Sequence, residues 1–399
     1  MTGGPRRDRP VRGGRSTLAN ATLRRGGALD PGTLFLAGGV VVAGGGSAGP
    51  EADLDGRIVV PGLVNAHDHL DLATMPPLGR PPYPNVYAWT ADVEGHPEDS
   101  VAAADALSVP LTDRLFLGGL RNLLAGVTAV AHHGPYHRAL ARPDFPVRVL
   151  ARYHFAHSPG LTPELRRTYR TTDRRIPWMV HAGEGTDERS RGELLLLEQA
   201  HVLRQNTVVV HGIALGEEDG RRMAAARACL AWCPESNRLL YSATARIGIL
   251  RTAGVRVGLG SDSPLSGARD ALSNLAAARA EGVVADSELL DLATTESAEV
   301  ARLPVGGTRE GDPADLVVVD SLEALLAGDR RSVALVVTAG RARYGHPDLL
   351  AALGVRSAPL VVDGAPRAME VDLARRAGSL LRRHPAVGRT RWAQGVELG

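Results

Sequence analysis

The middle of the chain places the strongest constraint on its fold. From residue 63 to residue 263, short and almost wholly apolar runs alternate with stretches of helical pattern. The runs are LVNAHDHL (63–70), VTAVAHH (127–133), VRVLARYHF (147–155), WMVHAGE (178–184), TVVVHGIA (207–214), ACLAWCP (228–234) and VRVGLGSDS (255–263). Helical stretches such as 188–205 and 217–228 stand between several of them. A strand apolar along its whole length is covered on both faces, which a parallel sheet flanked by helices provides. Seven or eight such units in series predict a (β/α)8 barrel over residues 62–308. Seven strands can be placed, and the unit between residues 135 and 176 is compressed.

Outside this region the pattern changes. Short β-like runs separated by glycines occupy 17–23, 33–44 and 56–62, and a matching set occupies 314–320, 333–345 and 359–369. Together they predict a small β-sandwich built from both ends of the chain, 17–61 and 309–370. VDLARRAGSLLRR (371–383) predicts a helix leading into a tail. The first 16 residues, rich in Arg and Gly with no apolar segment, are expected to be a disordered leader rather than a signal peptide.

Composition narrows the class. The 399 residues, 44% hydrophobic, are enough for one large core and a smaller module. A net charge of +2 implies no strong attraction to nucleic acid or membrane. No apolar run approaches the roughly 20 residues that span a bilayer. Two cysteines, Cys229 and Cys233, are too few for a disulfide scaffold, so a reducing cytoplasm is expected.

The polar residues that end these apolar strands carry the functional signal. The first strand ends in His67 and His69, a later one in His181 with Glu184 beyond it, the next in His211 and the last in Asp262. In a barrel the C-terminal strand ends converge on one face, where active sites form. Side chains alternate along a strand, so His67 and His69 point the same way and can reach one ion. Imidazole and carboxylate ligands suit zinc or ferrous iron, with a position left open for water, and Glu184 can carry protons beside that water. A lone His-X-His is more often a surface or satisfied core pair; four such signals in order, each closing a strand, favour a metal. His132, His133 and Trp89 are candidate substrate contacts, as are His154 and His157 near strand ends. His96, His137, His201, His346 and His384 read as surface residues.

These pieces, in this order, resemble the amidohydrolase superfamily, in its branch of aminohydrolases and chlorohydrolases that includes cytosine, guanine, triazine and S-adenosylhomocysteine deaminases. The resemblance rests on PGLVNAHDHL, GVTAV (126–130), VHAGEGTDE (180–188), VVVHGIAL (208–215), WCPESNRLL (232–240), GVRVGLGSDSP (254–264) and GDPADLVVVD (311–320). It implies that His67, His69, His181 and Asp262 hold one divalent metal, zinc rather than iron. It further implies that Glu184 shuttles protons while His211 and Asp262 orient and deprotonate the attacking water. Ser236 and Asn237 match the family's Ser-Asn, expected as a structural cap first and a substrate contact second. Two-metal members commonly bridge their ions with a carboxylated lysine, and all 46 basic residues here are arginine, so that bridge is impossible.

The chain departs from the branch in the shortened 135–176 region and in His132-His133, which stand where an acidic residue is common. Both changes fall where the substrate pocket is built. The expected activity is hydrolytic removal of an amino group from a heterocycle of purine, pyrimidine or triazine type. The alternatives are opening of a cyclic amide and, less favoured, a degenerate barrel kept for binding. A small-molecule substrate is the expected partner, with a homodimer possible.

Overall fold

The structure is a computed structural model that describes residues 14–44, 49–304 and 306–398. Residues 1–13, most of the expected leader, lie outside the described residues, and the first strand already opens at Ser16. The N-terminal strands are β1 (Ser16–Arg25), β2 (Ala28–Ala37), β3 (Val40–Val42), β4 (Glu51–Asp53) and β5 (Ile58–Pro61). Eight central strands follow: β6 (Leu63–Asp68), β7 (Val127–His132), β8 (Arg148–Val149), β9 (His154–Ala156), β10 (Trp178–Ala182), β11 (Thr207–His211), β12 (Cys229–Trp232) and β13 (Arg256–Leu259). The chain closes with β14 (Leu316–Val319), β15 (Val333–Thr338), β16 (Arg341–Gly345), β17 (Ser357–Val362), β18 (Ala365–Glu370) and β19 (Val396–Leu398).

The central strands make two wholly parallel sheets, β6-β7-β8 and β9 through β13. Every residue of β6, β7, β10, β11 and β12 is buried, as continuous apolar runs require. The sheets approach each other where β13 runs beside β6. There Asp262 N–H donates to the His67 carbonyl at 3.1 Å. A Cβ on Gly260 would stand 2.6 Å from the His67 Cβ, so only glycine admits this approach. No ladder joins the two sheets among the described residues.

The run 147–155, expected as one strand, is two. β8 pairs with β7 and β9 pairs with β10, with the chain surfacing at Ala151 and Arg152 between them. The Arg152 side chain is exposed and reaches Asp173, and a cation held in water cannot sit inside a strand covered on both faces. This split supplies the eighth strand from the compressed region. The helix expected over 188–205 is shorter, Glu188–Gln199, opened by Asp187 accepting from Ser190 N–H at 3.0 Å and followed by His201 in left-handed backbone.

Both ends of the chain share one 11-stranded sheet, in which β5 pairs with β1 on one side and β14 on the other. β19, at the end of the expected tail, adds an edge strand beside β17. The expected C-terminal helix spans Val371–Arg383 and packs on β17 and β18. Among the described residues no helix is long and apolar enough to cross a membrane.

Candidate metal centre

β6, β7, β10 and β11 end on the same side of the molecule, and histidines at or beside those ends meet. The rings of His67, His69 and His181 lie 5.0 Å (67–69), 5.0 Å (67–181) and 5.7 Å (69–181) apart between centroids. Asp262 Oδ1 stands 3.7 Å from His67 Nε2 and 3.6 Å from His69 Nε2. His181 Nδ1 lies 3.2 Å from Glu184 Oε2, and His211 Nε2 lies 3.5 Å from Glu184 Oε1. Gly183, at φ +65°, makes the turn that brings Glu184 beside the strand end. His211 (φ 73°) and Asp262 (φ 54°) are themselves in left-handed backbone, a strained state that persists where surrounding structure enforces it.

Potential ligand atoms gather into His67–His69–Asp262, His67–His133–His181 and His181–Glu184–His211, each set within 4.8 Å. Nε2 of His67, His181 and His211 is buried without a hydrogen-bond partner among the described residues, an arrangement that buried polar atoms normally avoid. Burial, reinforced by neighbouring imidazoles, pushes His67 and His181 well below the ordinary histidine range, so they are neutral and keep a free lone pair. Burial works against a charge on Asp262, but contact with His67 and the adjacent histidines holds it well below the usual carboxylate range. Neutral imidazoles facing an ionised carboxylate fit a divalent metal.

Side chains behind the cluster fix it in place. Ser236 and Ser266 hydroxyls donate to Asp262 Oδ2 at 2.6 and 2.8 Å. His211 Nδ1 pairs with Asn237 Oδ1 at 2.8 Å, which makes Nδ1 the protonated nitrogen and leaves Nε2 its lone pair. The Tyr241 hydroxyl donates to Glu184 Oε1 at 2.7 Å, and burial raises Glu184 above its ordinary value. Tyr241 and Ser266 carry no sequence motif and come from the ends of short helical segments, so spacing does not reveal them.

A cavity of about 400 Å³ opens over this cluster. Trp89, His133 and His157 line it, together with apolar Leu72, Val86, Phe155, Leu161 and Leu265. Asn237 does not line the cavity; it and Ser236 hold His211 and Asp262 from within the helix Pro234–Tyr241, and neither caps that helix. His132, also expected at the substrate, faces the other way. Its Nδ1 accepts from Leu70 N–H at 3.3 Å and its Nε2 stands 3.9 Å from Asp71 Oδ1, because consecutive residues at a strand end point to opposite sides. His154 lies in a separate surface groove with Tyr136 and Tyr153.

The amidohydrolase family model matches residues 154–343. A 5-methylthioadenosine/S-adenosylhomocysteine deaminase from Natronomonas pharaonis is 28% identical over 338 residues, covering 71% of this chain and 78% of that protein. Over these stretches the chain is similar to amidohydrolases. Solved structures with a similar fold include atrazine chlorohydrolase from Arthrobacter aurescens in complex with zinc, at TM-score 0.66 and 18% identity over 82% of this chain and 94% of that one. Another is an adenosine deaminase from Xanthomonas campestris with bound zinc, at TM-score 0.61 and 17% identity over 94% and 98%. Those identities support the TIM-barrel-like α/β fold alone.

Proposed function

We propose that this protein removes an amino group from a heterocycle by hydrolysis, releasing ammonia, and that one divalent metal, zinc rather than ferrous iron, is held by His67, His69, His181 and Asp262. The observation that carries the reading is the set of buried, unpartnered imidazole nitrogens facing Asp262 on the floor of a cavity the size of a small heterocycle. The names of its relatives make 6-aminopurine nucleosides the first substrates to test. In the same reading the eight parallel strands close into one (β/α)8 barrel over 62–308, and 17–61 with 309–370 form the terminal β-sandwich. The buried, unpaired thiols of Cys229 and Cys233 support a reducing compartment.

When bound, the metal would supply Lewis acidity, lowering the pKa of water toward about 7. The protein's own groups do the rest. The apolar walls around Trp89 and Phe155 hold the flat ring and exclude bulk water. His211, with Nδ1 engaged by Asn237, offers Nε2 to orient the attacking water and, with Asp262, takes its proton. Glu184, kept protonatable by burial and aimed by Tyr241, gives a proton to the ring nitrogen beside the amine. Proton return to the departing nitrogen completes ammonia.

The test is ammonium release by metal-replete protein across aminopurines, their nucleosides, aminopyrimidines and aminotriazines, with and without a chelator. Chelator-sensitive release is expected. Glu184→Gln should retain the metal yet lose about 10² to 10⁴-fold in kcat, the worth of a general acid–base group. Silence across the panel would turn the reading toward cyclic-amide opening, and near wild-type turnover by Glu184→Gln would remove the role given to that residue.

A further inference from the structure

His133 lies outside the ligand set carried over from the family, yet it stands inside the cluster. Its ring centroid is 4.9 Å from His67, 5.1 Å from His69 and 4.5 Å from His181. It is therefore as near to each of the three as they are to one another. It is 1% exposed, and among the described residues neither Nδ1 nor Nε2 has a hydrogen-bond partner. A histidine kept only for packing against Phe155, 5.0 Å away, would leave a buried N–H and a buried lone pair unsatisfied. The ligand atoms of His67, His133 and His181 fall within 4.8 Å, close enough to serve one ion.

We propose that His133 is a further protein donor to the same metal ion, giving a set of four imidazoles and one carboxylate with His67, His69, His181 and Asp262. The proposal rests on the metal reading above. Its consequence is six donors to the ion, counting one water, where the four ligands named above and a water make five. The ring also narrows the cavity, so that a substrate must share the metal's open face with an imidazole edge.

The experiment titrates metal-free, full-length protein with Co²⁺ and follows affinity, stoichiometry and the visible spectrum. His133→Ala and the hydrogen-bonding variant His133→Gln are compared with His132→Ala, whose ring points away from the cluster. Circular dichroism checks that each variant is folded. The expected result is one Co²⁺ per wild-type chain, with affinity at least about tenfold weaker in both His133 variants, since even outer partners of ligands are worth 10–100-fold. The visible band should intensify as the coordination number falls, and His132→Ala should match wild type. A folded His133 variant with wild-type affinity and spectrum overturns the proposal and leaves the metal reading standing. Two Co²⁺ per wild-type chain overturn the assignment to a single shared ion. A wild-type chain that takes up no Co²⁺ overturns both.

Discussion

Asp68 lies between two candidate ligands in sequence, and its carboxylate turns away from them. It is fully buried, receiving Arg121 Nη2 at 2.7 Å, Asn122 Nδ2 at 2.7 Å and Asn65 Nδ2 at 3.0 Å. Arg121 also donates to the Asp262 carbonyl at 2.8 Å, so one guanidinium braces both ends of the cluster. Arg121→Met leaves Asp68 as an uncompensated buried charge and is expected to cost about 3–5 kcal/mol in denaturant unfolding. Glu193 supplies a pH-dependent counterpart. Its Oε2 accepts Gly183 N–H at 2.7 Å and its other oxygen accepts the Tyr87 hydroxyl, while burial raises its pKa to about 7. An acid whose folded pKa lies above its unfolded value, about 4.3, binds more protons in the folded state. It therefore stabilises the fold at low pH and loses that contribution as pH rises from about 4.3 to 7. The stability difference between Glu193→Gln and wild type should change in the variant's favour across that window and level off above it, as measured by unfolding at several pH values.

At the level of strands and helices, the cluster was legible in the sequence because a parallel sheet gathers its strand ends on one side. Histidines at 67, 69, 181 and 211 and a carboxylate at 262 each close an apolar run, and that pattern is local to each run. What escaped depends on finer geometry. β8 and β9 are two and three residues long, too short to show a period, so their region read as compressed. Whether His132 or His133 faces the cavity is decided by a single residue of register at the end of β7, which no composition reports. The tail was legible as a helix but not as the strand and the anchor beyond it. Trp392 is buried, and its indole N–H donates to the Ala73 carbonyl at 2.8 Å, just past the segment carrying His69. Trp392→Ala is expected to cost about 3–5 kcal/mol through the void it leaves, read as a lowered denaturation midpoint.

For the molecule as a whole, charge is unevenly placed. With no lysine in the chain, arginine is the only strong cation, and among the described residues none lines the cavity above the cluster. Its charged lining groups are the carboxylates Asp71, Glu184 and Asp262. Apart from the metal proposed for the cluster, a phosphate carried into that space would lose hydration without meeting a counter-charge from the protein, a cost of several kcal/mol. A nucleoside monophosphate should therefore show kcat/KM at least about tenfold below its nucleoside, as measured by ammonium release. The joining of both chain ends in one sheet has a different consequence, in time rather than in space. β5 runs through Gly62 into the strand bearing His67 and His69, and one of its two neighbours, β14, pairs Val318 with Val59. On the ribosome, β5 must wait for most of the chain to be made before that flank is covered. Contacts so distant in sequence form late in folding, so a nascent or prematurely stopped chain would hold its first histidine pair on an unfinished edge.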